Sequence, residues 1–65
     1  MILEKIDPRE QETLTRIEEL VKGERTYKTQ DEVLKLLLYE LNNQSRLKAM
    51  GYIDRHKFYE KPLVD

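Results

Sequence analysis

Seven of the nine residues from Val33 to Leu41 are apolar: Val33, Leu34, Leu36, Leu37, Leu38, Tyr39 and Leu41. At about 100° per residue these side chains spread over roughly 200° of a helix circumference, whereas one-sided packing needs a stripe only a little over ~100° wide. A single short helix cannot cover that arc. Each fully buried Leu or Val contributes about 1.5–3 kcal/mol, so two or three left in water forfeit an amount comparable to the whole stability of a small domain. The expectation is self-association as a homodimer through Val33, Leu34, Leu37, Leu38 and Leu41.

Size sharpens this expectation. A chain of 65 residues is one small domain, read here as residues 1–61 with 62–65 a flexible tail. A domain of this size buries only about 60% of the surface its unfolded form exposes. Small chains make up the deficit with disulfides, a structural metal or oligomerisation. With no Cys and one His, His56, only oligomerisation has material to work with. Lack of Cys also fits a reducing compartment. The start, Met1–Pro8, carries charges among its first five residues and no apolar run of signal-peptide length. No segment approaches the roughly 20 apolar residues of a membrane span. The chain is therefore expected to be cytoplasmic, with no membrane partner.

The predicted architecture is mainly α. Asp7-Pro8-Arg9-Glu10 combines an N-cap, a proline suited to the first turn and a Glu able to complete a capping box. From it an amphipathic helix runs over about 8–22, with Leu14, Ile17, Leu20 and Val21 on one face, Glu12–Arg16 and Glu18–Lys22 as i,i+4 pairs, and Gly23 as its stop. After a connector, Glu24 to Lys28, the segment Thr29-Gln30-Asp31-Glu32 reads as a second capping box. It opens a helix over about 30–44 or longer, with Asn42-Asn43-Gln44-Ser45 either a break or a polar turn within it, and Gly51 as the stop. Ile53 and Asp54 then stand as hydrophobic staple and N-cap of a short helix over about 54–61, with Phe58 at the matching position before Pro62. Met1–Ile6 is the one strand candidate, and its alternation is imperfect: if Ile2 and Ile6 face inward, so does Glu4.

Catalytic constellations are absent from the pattern. A nucleophile needs an activating base, and His56 is the one imidazole the chain offers for that role. Glu18 and Glu19 are read as a solvated helix face. The two glycines are isolated, so no phosphate loop forms. His56 with Asp54 and Glu60 lacks the ligand number of a metal site. The chain is expected to be no enzyme, with no catalytic residues, no metal, no cofactor and no small-molecule substrate. The C-terminal third mixes Arg46, Lys48, Arg55, His56 and Lys57 with Tyr52, Phe58 and Tyr59. Cations beside aromatics serve nucleic-acid contact or protein docking, and the aromatics serve equally as core. Arg46, Tyr52, Arg55, Phe58 and Tyr59 are accordingly the candidates for binding a protein partner.

Lys5-Ile6-Asp7-Pro8, the helix carrying Leu14, Ile17 and Leu20, and Thr29-Gln30-Asp31-Glu32-Val33-Leu34 leading into Leu37 resemble the ribbon-helix-helix family of DNA-binding regulators over residues 2–41. The resemblance implies a short N-terminal β-strand, about 2–6, pairing between two chains into a ribbon that enters the major groove, with the second helices at the dimer centre. It implies Lys5 on the base-reading face and Lys28, Thr29 and Gln30 near the DNA backbone. The function so implied is a dimeric DNA-binding transcriptional regulator, antitoxin-like repressors among them.

A net charge of −1, from twelve Lys+Arg against thirteen Asp+Glu, supplies no global attraction to duplex DNA. This favours the alternative, a small protein-binding adaptor or inhibitor of phage or plasmid type that acts through a helical surface without DNA. A purely structural oligomer is the third reading.

Overall fold

The computed structural model describes residues 7–64. Its first helix, α1, spans Pro8–Lys22 and begins as its residues dictate: the Asp7 carboxylate accepts the N–H of Arg9 at 2.8 Å, and Pro8 occupies the first turn. Leu14, Ile17 and Val21 are fully buried along one face. At the other end Gly23 caps the helix, its N–H donating to the Leu20 carbonyl. The Lys61 ammonium sits on the same terminus, donating to the carbonyls of Val21 (2.8 Å), Lys22 (3.3 Å) and Gly23 (2.9 Å). A cation placed on free C-terminal carbonyls satisfies them and complements the helix dipole.

The connector holds a two-residue strand, β1 (Arg25–Thr26), and the next helix, α2 (Tyr27–Lys35), starts directly after it. Its cap is Thr26, three residues earlier than the sequence pattern suggests. Thr26 Oγ1 accepts the Thr29 N–H at 3.0 Å, and Thr29 Oγ1 accepts the Thr26 N–H at 2.8 Å, a reciprocal box with Thr at the third helical position. Thr29 is thus inside the helix. Glu32, freed from capping, pairs instead with Arg16 of α1 and ties the two helices together. Arg16 therefore makes no ion pair with its expected partner Glu12. The ion pairs among the described residues are this one and Asp31–Lys35 at 3.0 Å, so the expected Glu18–Lys22 pair does not form. Asp31 holds the exposed Lys35 ammonium above its ordinary pKa, first by its hydrogen bond and then by its charge.

From Leu36 to Glu40 the helix widens into a π turn, in which hydrogen bonds reach one residue further along the chain. It then stops. Leu41 is extended (φ −122°, ψ 144°), and Asn42 caps a new helix, α3, over Asn43–His56, by accepting the Ser45 N–H at 2.9 Å. The break therefore falls at Leu41–Asn42, the rest of the polar run opening α3, and the helix expected over 30–44 ends at Glu40. Two side chains from elsewhere fix this corner. Glu10, expected to cap its own helix, instead accepts the backbone N–H and side-chain amide of Asn42 at 2.8 and 3.1 Å. Arg46 donates to the carbonyls of Leu37 (2.8 Å), within the widened turn, and Leu41 (3.2 Å), just past it, and to Asn43 Oδ1 at 3.1 Å.

Gly51 lies in the middle of α3 and does not end it. Ser45, Ala49 and Ile53, four residues apart, are buried on one face, and this packing carries the helix through the glycine. The stop is Lys57, in the left-handed region (φ 51°, ψ 44°), its N–H donating to the Asp54 carbonyl at 3.2 Å. The short helix expected over 54–61 is replaced by the end of α3 and a 3-10 turn, Phe58–Glu60. Asp54 is consequently a residue of α3, with no cap to make. Leu63–Val64, within the stretch read as a tail, form β2 and pair in parallel with β1, in the register Arg25↔Leu63 and Thr26↔Val64.

α1 packs across both α2 and α3, which touch each other little. The core lies between them: Leu14, Ile17, Val21, Val33, Leu37, Leu41, Ala49, Ile53 and Phe58, with Leu20, Leu36 and Tyr52 partly buried against it. Among the described residues no helix is long and apolar enough to cross a membrane. The strand candidate at 2–6 lies outside the described residues.

A candidate docking groove between α2 and α3

Because α1 fills only one side of the angle between α2 and α3, the other side is open. There a groove of about 430 Å³ is lined by Leu34, Leu37, Leu38, Arg46, Met50, Ile53, Asp54 and Tyr59. Its floor is core: Leu37 and Ile53 are buried. Its walls are not. Leu34, Leu38 and Met50 are 47%, 54% and 51% exposed, and Leu47, one step round α3, is 70% exposed. Single exposed apolar residues are ordinary on a protein surface, but several around one concavity mark a binding surface.

Tyr59 forms the end wall and is held by two neighbours, Phe58 and Arg25. Its ring stands edge-on to Phe58 with centroids 5.1 Å apart. The Arg25 guanidinium lies 5.2 Å from its centroid, and Arg25 Nη1 donates to its backbone carbonyl at 3.2 Å. A wall restrained in this way loses little rotamer freedom when a partner docks. The polar members of the lining are Arg46 and Asp54, and neither forms an ion pair among the described residues.

The five residues expected at a dimer interface divide into two groups. Val33, Leu37 and Leu41 are buried within the chain's own core, whereas Leu34 and Leu38 face the groove. The separation follows from α1, which claims one half of the apolar arc and leaves the other. The partner-binding candidates divide as well. Arg46 and Tyr59 line the groove. Phe58 is fully buried and Tyr52 partly buried against the core, so neither offers a free ring. Arg55 is exposed, and helical spacing turns it and Lys48 roughly 140–160° away from Met50, so the basic cluster of the sequence is dispersed around α3.

The DNA-contact candidates are less available than their positions suggested. Lys28 is exposed at the start of α2. Thr29 is occupied by the cap, and Gln30 accepts the Arg25 Nε at 2.9 Å. Lys5 lies outside the described residues. Met50, Ile53 and Asp54 complete the groove and were missed as site residues. The spacing Arg46, Met50, Asp54, at i, i+4 and i+8, would have found two of them had the helix been read through Gly51.

A second hollow, lined by Lys22, Gly23, Glu24, Arg25, Lys61, Pro62 and Val64, lies where β2 closes on α1. Two of its cations are committed to backbone carbonyls: Lys61 to the end of α1, and Arg25 to Tyr59 and Lys61. That region is a clasp. Among the described residues no three metal-ligating side chains come together. Comparison with protein families, with curated proteins and with solved structures found no match for this chain.

Proposed function

We infer that this chain is a small, non-enzymatic protein-binding module, an adaptor or inhibitor that seats an apolar partner surface in the groove between α2 and α3. The observation that carries this reading is the ring of half-exposed Leu34, Leu38 and Met50 over a floor of buried Leu37 and Ile53. A low net charge of −1 also suits protein contact better than duplex DNA. Affinity capture with the tagged full chain tests it, comparing the wild type with Leu38→Asp at equal helicity. Partner recovery is expected to disappear in the variant; undiminished recovery would count against the groove.

The dimeric DNA-binding regulator implied by the ribbon-helix-helix resemblance is the second reading. Its support is the pair of capped amphipathic helices, with Lys28 exposed in the first turn of α2. Its test is a gel shift with duplex DNA at low salt. Binding abolished by Lys5→Ala in a still-folded chain supports it, and no shift by the wild-type chain rejects it.

A further inference from the structure

We propose that the occupant of the groove is a second copy of this chain, docked about a two-fold axis that passes close to Met50, with the two α3 helices antiparallel. The inference rests on the docking reading above and names its partner.

The first support is the order of residues along α3. Arg46, Met50 and Asp54 are spaced four apart, so helical geometry places them within an arc of roughly 80° and sets the backbones of Arg46 and Asp54 about 12 Å apart along the axis with Met50 midway. A two-fold axis through the midpoint of such a stripe turns it onto itself with the signs exchanged. Arg46 of each copy then meets Asp54 of the other, and Met50 meets its own mate. This is the self-complementarity that an isologous interface requires, in which residue i contacts j and j contacts i. Neither charge is satisfied by an opposite charge among the described residues of its own chain. Arg46 is also held in place by its bonds to Leu37, Leu41 and Asn43, so it presents a fixed cation rather than a mobile one.

The second support is area. Leu34, Leu38, Leu47, Met50 and Tyr59, from 42% to 70% exposed, offer apolar side-chain surface on the order of 500 Å². A standard interface takes about 800 Å² from each partner, about 65% of it apolar in homodimers. The patch is the size that one copy needs to hold another.

Sedimentation of the full chain over a wide concentration range, with single-cysteine cross-linking, tests the proposal. Because the chain has no Cys, Met50→Cys introduces its sole thiol close to the axis. Glu19→Cys, on the exposed side of α1, serves as the control. Expected results are a concentration-dependent dimer, rapid disulfide linkage of Met50→Cys but not of Glu19→Cys, and a dissociation constant raised about tenfold in Asp54→Lys, where each copy now opposes Arg46 with a like charge. A wild-type chain that sediments as a monomer throughout overturns the proposal, as does a dimer in which both cysteines link equally fast. Circular dichroism checks each variant's fold, and the cross-linking pair decides the matter should Asp54→Lys unfold. A monomer whose partner capture still depends on Leu38 overturns the second-copy occupant while the docking function stands. A dimer whose partner capture ignores Leu38 does the reverse.

Discussion

Glu10, in the first turn of α1, accepts two hydrogen bonds from Asn42, one from its backbone N–H and one from its side-chain amide. Asn42 in turn accepts the Ser45 N–H, so a carboxylate 32 positions back in the chain sets where α3 begins. Glu10→Ala is expected to lower stability by about 1–2 kcal/mol. Asn42→Ala, which also loses the cap, should cost about as much or more. In urea denaturation the double variant should fall short of the sum of the two single losses; strict additivity would mean the contact does not couple them.

Arg46 has a larger burden, since its guanidinium supplies donors to two backbone carbonyls at the end of the π turn, Leu37 within it and Leu41 just past it. Arg46→Ala should destabilise by about 2–3 kcal/mol. Arg46→Lys should recover only part of the loss, because a single ammonium cannot span two carbonyls and the Asn43 side chain as a planar fork does. Thermal unfolding of the three proteins measures this, and full rescue by lysine would show that charge alone suffices.

Lys57 is the non-glycine residue with positive φ among those described. Glycine adopts that conformation without the Cβ conflict, so Lys57→Gly should stabilise the chain by up to about 1 kcal/mol. The gain should appear as a higher denaturation midpoint with an unchanged denaturant slope. A lower midpoint would mean that the lysine side chain contributes more than its backbone strain costs.

Adjacent leucines should behave oppositely. Leu37 belongs to the core and Leu38 to the groove. Leu37→Ala should cost about 2–4 kcal/mol at any protein concentration. Leu38→Ala should leave the dilute chain within about 0.5 kcal/mol of wild type and weaken its association. Equal losses from both in dilute solution would place Leu38 in the core.

α1 could be read from its residues because its start and stop are local: Asp7, Pro8 and Gly23 act on neighbours, and Leu14, Ile17 and Val21 repeat at helical spacing. The start of α2 was misplaced, at Thr29 rather than Thr26, because Thr29-Gln30-Asp31-Glu32 fits the capping pattern while Thr26 caps through a threonine at the third helical position. The break at Leu41 was only one of two readings that the polar run allowed. It depends on Glu10 and Arg46, whose reach across the fold no window of adjacent residues contains. Gly51 misled for a different reason: glycine after good helix formers ordinarily marks an end, but Ser45, Ala49 and Ile53 bury a continuous face across it. The excess of apolar surface on the second helix was visible in the sequence. Which of its leucines face the groove was not, because that depends on the side α1 takes.

The clasp formed by Lys61, Arg25 and the β1–β2 pair has a consequence in time. Its contacts join residues up to 40 apart in sequence, whereas most helical contacts are local, and the entropy of closing so long a loop is recovered only after the helices have docked. The clasp should therefore be the last part to form and the first to open. Its amides, at Thr26 and Val64, should exchange with solvent by local opening well below the global unfolding energy, while those of Ile17 and Val21 report the whole molecule. Weakening the clasp, for example with Lys61→Met, should speed unfolding and leave the folding rate almost unchanged. How long a folded copy survives is then governed at this end of the molecule, away from the groove.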